Sequence, residues 1–436
     1  MLHNFSRGSC PTESQLPGSE TLRQVDGHPL MVPVSSINCS SPWIRKIRDF
    51  QARPFTVSQD PLFIARLRGL EVTQAPSATT KNKSQIQMDK HISNSIWISI
   101  VLAFSVVTSE PTAAKSIRLP SEDNFRVSAS CPAPDPKLYY RPVIGILSHP
   151  GDGASGRLSN TTDASCIAAS YIKFVESAGA RVIPLIYNEP PEILSEKLNL
   201  VNGVLFTGGW AKTGLYYEVV QEIFKKALEK NDAGDHFPVF AICLGFELLS
   251  MIISKDENIL ESFSATNQPS TLHFVEDANI QGTVFQRFSP ELLTKLSREC
   301  LAMQNHHLGV SLKKFEENSV LSKFFKILTT SVDEDDKVYI TTVKAKMYPV
   351  TGFQWHPEKN AFEWGSSAIP HTEDAIQVTQ NVANYFISEA RKSVNRPPAR
   401  KVLDNLIYNY KPTYCGKSGK GYDEVYIFST AAEKPS

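Results

Sequence analysis

Two short stretches of the chain carry residue types that could do covalent chemistry. The first is Phe240 to Ser250, FAICLGFELLS, where Cys243 stands between strand formers and the first turn of a helix. A cysteine at a tight strand-to-helix corner is lifted out of the core, and the backbone N–H groups after it point into the same space, where they can stabilise an oxyanion. Gly245 frees that corner from a Cβ clash. The helix amino terminus also favours a thiolate over a thiol, so the spacing predicts a thiolate–imidazolium pair that persists below neutral pH. The competing reading is a packed core thiol, because free cysteine is among the most buried residue types. The second stretch is Phe353-Gln354-Trp355-His356-Pro357-Glu358. Residues two apart on a strand point the same way, so Glu358 can hold one imidazole nitrogen of His356 and leave the other for a thiol. Alone, a His-x-Glu is equally well a surface ion pair. A third feature, the Gly208-Gly209 turn, offers a second backbone donor facing Cys243, or is an ordinary glycine-rich turn.

The elements around these residues must bring them together. Pro142–Leu147, Arg181–Leu185, Gly203–Phe206 and Pro238–Ile242 read as buried strands. Between them, Ala164, Ile167, Ala168, Tyr171, Val175 and Ala178 recur at helical spacing, with Asp163 as cap, and a second helix spans about Tyr216 to Lys230. Strands alternating with helices predict an α/β fold, a mostly parallel central sheet with helices on both faces. Ligands on such sheets bind beyond the carboxyl ends of the strands. Cys243 and Gly208-Gly209 both fall at such ends. The later half adds strands at Phe325–Ser331, Val338–Val343 and Val350–Gln354, with Asp333–Lys337 as a solvated turn. A long helix follows Thr372, stopped by Pro397-Pro398, and the tail is expected to form a hairpin.

Composition narrows the function classes. The 436 residues are 41% apolar and 21% charged, with 45 basic and 45 acidic side chains. That balance gives no electrostatic reason to expect nucleic acid or an anionic membrane as partner. No Cys or His lies at zinc-ligand spacing, so no metal is expected. The uncharged run Ile96–Val107 is too short to span a bilayer, so stable membrane insertion is not expected, and it fits the apolar region of a secretory signal peptide. Met88 stands just before it. The reading is therefore residues 1–87 as a gene-model extension or tail, 88–114 as signal peptide, 115–140 as linker, 141–395 as catalytic domain and 396–436 as a tail packed on it. A signal peptide leads into the secretory pathway, where cysteines can pair, and Asn160 begins a glycosylation sequon.

The cysteine corner, the Gly-Gly turn and the His-Pro-Glu strand end together resemble class I glutamine amidotransferase-like domains. More narrowly, RPVIGIL, AASYIKFVESAGARVIPL, GVLFTGG, FPVFAICLGFELLS and FQWHPEKNAFEW resemble the gamma-glutamyl hydrolases of plant type, over about Arg141 to Phe428. The resemblance implies Cys243 as nucleophile, His356 as its base and Glu358 as the orienting carboxylate. It implies backbone donors at Gly209 and Leu244 for the oxyanion, with Gly208 beside the substrate. It also implies a histidine near the cleft from Gln304-Asn305-His306-His307. His307 is preferred, and local spacing allows His306. Ammonia-channelling amidotransferases carry glutamine four residues after the nucleophile, where this chain has Glu247; its carboxylate is read as facing the substrate. The implied substrates are folylpolyglutamates or other gamma-glutamyl peptides, with no cofactor, in a homodimer, in the vacuole or outside the cell. The alternatives are a glutaminase subunit that passes ammonia to a synthase, and an inactive binding protein on the same fold.

Overall fold

The computed structural model describes residues 131, 133–153, 164–276, 278–416 and 421–429. The expected extension, signal peptide and glycosylation sequon, and the cap Asp163, lie outside these residues.

The architecture follows from strands whose two faces are both apolar. β1 (Val143–Leu147), β4 (Arg181–Leu185), β5 (Val204–Phe206), β6 (Val239–Ile242) and β12 (Val350–Phe353) form the parallel part of an eight-stranded sheet. The order is β4-β1-β5-β6-β12-β11-β10-β8. β11 (Val338–Ala345), β10 (Phe325–Val332) and β8 (His273–Phe274) extend it in antiparallel register. Alternate residues of each parallel strand feed opposite cores. Val143, Leu147, Val204, Phe206, Val239 and Ala241 pack under the helices Pro191–Leu198, Gly214–Asp232 and Leu244–Ser254. Ile144, Ile146, Leu205, Phe240 and Ile242 face the helices Ala169–Ser177 and Glu373–Ala390. Burial on both faces is why these strands read as continuous apolar runs rather than alternating ones. The fold is thus α/β with a mostly parallel sheet between two helical layers, plus added antiparallel strands.

Three expectations need correction. Ala164–Ala168 is strand β3, not the first turn of a helix. Its small residues fit either state, and β14 (Glu424–Ser429) decides by pairing with it from the far end of the chain. β14 also pairs with β13 (Pro412–Tyr414), so the expected tail hairpin forms. β2 (His149–Pro150) completes this four-stranded sheet. The long helix begins as expected, with the Thr372 hydroxyl accepting from Ala375 N at 3.2 Å, but ends at Ala390, ahead of the Pro397-Pro398 stop. Finally, the Asp333–Lys337 turn is not solvated throughout. Asp333 is buried and accepts from Ser264, Asp335 and Lys337 N–H groups, which pins the turn to β7 (Glu261–Ser270). β7 pairs with β9 (Ala302–Gly309) in a separate two-stranded sheet.

Candidate active site

β6 and β12 are parallel neighbours, with Ile242 opposite Phe353. The Cys243 N–H extends that ladder by donating to the Phe353 carbonyl at 2.6 Å. Cys243 therefore leaves the sheet beside the segment that carries His356. Its backbone turns sharply there, at φ 51° and ψ −109°, a conformation rare for any residue with a Cβ. The helix Leu244–Ser254 starts at once, with Glu247 N–H donating to the Cys243 carbonyl at 3.0 Å. Gly245 is required by close approach: a Cβ there would lie 2.7 Å from the Phe206 carbonyl oxygen.

His356 Nδ1 lies 2.7 Å from Glu358 Oε1, and both side chains are buried, at 3% and 0% exposure. The Nε2 atom of His356 is buried without a protein partner, as the expected arrangement demands. Gly208 fixes how close the imidazole and the thiol come. A Cβ built on it would lie 2.9 Å from His356 Cε1 and 3.5 Å from Cys243 Cβ. Cys243, His356, Glu358 and the Gly208-Gly209 turn are therefore one cluster at the carboxyl edge of the sheet. The Leu244 N–H points into the space beside the Cys243 sulfur and favours its anionic form.

Burial works against the expected standing ion pair. Burial pushes the Cys243 thiol well up, Glu247 and Glu358 push the same way, and only Leu244 N–H and Lys212 oppose them. Burial also lowers His356, against the pull of Glu358. Desolvation at this depth opposes the helix amino terminus, whose pull acts at the first turn. Burial thus disfavours a charge on either group taken alone. A proton passing between them creates two opposite charges together, which desolvation penalises less than either alone.

Glu247 departs from the expected role. Its carboxylate is 2% exposed, pairs with Lys212 Nζ at 2.9 Å and accepts from Gln354 Nε2 at 3.1 Å. It is committed to protein partners, so it does not offer a free charge to a substrate. Lys212→Met leaves that carboxylate buried and unpaired, and we expect a loss of roughly 2–4 kcal/mol in urea unfolding. Adding Glu247→Gln should recover most of it; a double variant as unstable as the single one would show the pair has no such role.

The two histidines of β9 separate. His306 is buried against Tyr339, with ring centroids 4.8 Å apart, and its Nδ1 hydrogen donates to the Leu308 carbonyl at 2.9 Å. Burial holds it down to about 3. His307 is exposed beside the Thr266 hydroxyl, whereas His306 keeps a buried Nε2 without a protein partner and feels the charge of His356, so the structure favours His306 over the preferred His307 as the histidine near the cleft.

Three supporting residues were missed in the sequence. His149 Nε2 accepts from the N–H groups of Trp210 and Ala211 at 3.0 and 3.2 Å, while its Nδ1 hydrogen donates to Pro150 O at 2.8 Å. Those bonds fix its neutral tautomer and anchor the strand end after Gly209, where a Cβ would fall 2.2 Å from the imidazole. Tyr171 Oη accepts from Gly208 N–H at 2.9 Å, so that donor is already used. Gln354 holds Glu247. The signal for His149 was available: it follows the carboxyl end of β1, the location rule that singled out Cys243. Beside the turn, His149, Asp152, Cys166, Tyr171, Trp210 and Tyr422 help line a cavity of about 270 Å³. Among the described residues no cluster of three or more His, Cys, Asp or Glu could hold a metal ion. No helix among them is long and apolar enough to cross a membrane.

The neutral state of His149 makes a prediction about acid. Burial holds it down to about 4, below the ordinary 6.5 of the unfolded chain. The unfolded state takes the proton first, so the contribution is fully present above pH 6.5 and lost as pH falls toward 4. By pH 5 the loss is on the order of 2 kcal/mol. His149→Gln keeps an acceptor for Trp210 and Ala211 without the titration. Its urea stability should fall less than the wild type's between pH 7 and pH 5; equal falls would show that His149 does not carry this dependence.

A buried thiol, an imidazole with one nitrogen held by a carboxylate and the other unpartnered, and backbone N–H groups at a strained elbow form a cluster on an α/β sheet that has the parts a hydrolase needs. Comparison with known proteins narrows the class. Residues 142–358 match the family model described as Peptidase C26. The chain is similar to Gamma-glutamyl hydrolase 2 of Arabidopsis thaliana, 67% identical over 338 residues, which are 77% of this chain and 97% of that protein. It is 58% identical to Gamma-glutamyl hydrolase of Glycine max over 75% of this chain and 96% of that one. To Gamma-glutamyl hydrolase of Mus musculus it is 39% identical, over 66% of this chain and 90% of that one. The chain belongs to the gamma-glutamyl hydrolase family and is an enzyme of it.

Proposed function

We propose that this enzyme cleaves the gamma-glutamyl amide bonds of folylpoly-gamma-glutamates through a thioester on Cys243. The observation that carries the reading is the meeting of Cys243 and His356 at Gly208, with Glu358 holding the far nitrogen of the imidazole. Cys243 gives its proton to His356 Nε2 as sulfur attacks the gamma-carbonyl carbon. The oxygen gains the carbonyl electron pair and sits on the Leu244 and Gly209 N–H groups; Gly208 cannot serve, since Tyr171 takes its N–H. His356 then protonates the leaving amine nitrogen, the C–N bond breaks, and a thioester remains. Water attacks that carbon while His356 takes its proton, the C–S bond breaks, and the thiol is restored. Glu358 holds the imidazole in position and balances the charge it acquires. No step calls on a cofactor.

His306, whose buried Nε2 has no protein partner and which feels the charge of His356, is assigned to the cleft, and His307 bonds to Thr266 on the exposed side of the strand. Each residue of a polyglutamate tail carries a free alpha-carboxylate, so a charged or N–H partner is needed there. The Ile96–Val107 run directs the protein into the secretory pathway, and the family resemblance favours the vacuole and a homodimer.

The test is chromatography of products from pteroyltri-gamma-glutamate and from an alpha-linked isomer. Cleavage of the gamma-linked compound alone is expected. Equal cleavage of both, or release of ammonia from glutamine as the dominant reaction, would overturn the reading.

A further inference from the structure

The end of the sheet opposite Cys243 holds a second cavity, of about 700 Å³. It opens at the amino ends of β6 and β12, beside His236 and Pro349, where β10 begins and β11 ends. That volume lies in the range of small-molecule sites. Lys326, Lys344 and Lys346 line it. Lys326 and Lys344 are direct partners across β10 and β11. Like charges in that position repel, and a sheet without a use for them would place them elsewhere. Lys344 is moreover only 9% exposed, so its charge has lost most of its water.

These ammonium groups have no carboxylate partner within 4 Å among the described residues. Lys344 Nζ donates to the Tyr348 carbonyl at 2.6 Å, Lys346 Nζ to Ser322 O at 2.8 Å and Lys326 Nζ to Asn279 O at 3.4 Å. The acidic groups around the cavity are engaged elsewhere. Glu389 accepts from His236 at 2.8 Å and from Lys392 at 2.5 Å. Asp235 accepts from the Ser393 hydroxyl and Val394 N–H, and Asp232 from the Tyr348 hydroxyl. Burial pushes the Lys344 ammonium down to about 8, with Lys326 and Lys392 acting the same way and Glu389 opposing them. The cavity thus sets three lysines without carboxylate partners along one wall; of its three carboxylates Glu389 is paired with Lys392, and Asp232 and Asp235 accept from neutral donors and keep their charge.

We propose that this cavity is an anion-binding site, distinct from the catalytic cleft, that takes a small oxyanion of two or more charges between Lys326 and Lys344. Phosphates and polycarboxylates share the required chemistry: oxygen acceptors for ammonium donors, and charge enough to offset the lysine pair. Lys346 adds attraction at the rim. Its place at the amino edge of the sheet separates its occupant from the substrate's reacting bond.

Isothermal titration calorimetry of the full chain with inorganic phosphate, and separately with citrate, tests this and distinguishes the two sources. One saturable site per chain is expected for at least one anion. Its Kd should rise roughly tenfold in Lys326→Gln and a few-fold in Lys346→Ala, while gamma-glutamyl hydrolysis is retained. Neither change empties the core, so both variants stay measurable, whereas Lys344→Met alters a buried position. Absence of saturable binding for both anions overturns the proposal. So does an unchanged Kd in both variants, which would place the anion elsewhere, for instance in the Cys243 cleft.

Discussion

Cys243→Ala is expected to lower kcat by roughly 10⁴ to 10⁶, the scale seen when a covalent nucleophile is removed from a hydrolase that keeps its other catalytic groups. The remaining site still holds the oxyanion donors and His356, so substrate affinity should stay within a few-fold of wild type. The structure explains why folding is not at stake. Cys243 makes its strongest contacts through its backbone, the N–H to Phe353 O and the carbonyl to Glu247 N, and alanine keeps both. The positive φ is no harder for alanine than for cysteine. Unfolding midpoints and kcat measured on the same preparation separate the two effects. A variant that folds normally and turns over at more than a hundredth of the wild-type rate would refute the thiol mechanism.

The second large effect is expected at the imidazole. His356→Asn removes the imidazole that takes and returns the proton in this mechanism, and kcat should fall by about 10³ to 10⁵. Glu358→Gln tests the orienting role more finely. An amide at that position can present an N–H to His356 Nδ1, which would stabilise the tautomer with its hydrogen on Nε2 and turn the base away from the thiol. A loss of about 10² to 10⁴ in kcat is expected, with little change in KM. The burial of the thiol adds a signature. Because burial pushes the Cys243 thiol up, iodoacetamide should label it slowly at pH 7 and faster as pH rises. His356→Asn should slow it further. Fast labelling that is flat from pH 5 to 8 would restore the standing ion pair.

Sequence and structure agree best where the determinants are local. His356 and Glu358 are two residues apart, and Cys243 lies between a strand and a helix whose patterns are both clear, so their placement could be read from spacing. The parallel strands were legible because burial on both faces leaves continuous apolar runs. Residues whose partners lie far along the chain were not legible. Glu247 finds Lys212 and Gln354, neither of which its surroundings in sequence announce. Ala164–Ala168 becomes a strand only because β14 reaches it from the tail. Tyr171 sits on an apolar helical stripe that looks like ordinary core, and its hydroxyl is what meets Gly208. The opposing influences on the thiol divide the same way: the helix amino terminus is visible in sequence, whereas the depth of burial that works against it is not.

The account rests on a covalent bond between Cys243 and the acyl half of the substrate. Acid quenching of the enzyme during steady turnover of pteroyltri-gamma-glutamate, followed by peptide mass analysis, measures it directly. The peptide containing Cys243 should gain the mass of the pteroyl-glutamyl fragment, and the gain should vanish when thioesters are cleaved with hydroxylamine. An unmodified Cys243 peptide at every quench time, in an enzyme that is turning over and in which a His356→Asn variant also accumulates no adduct, would contradict it.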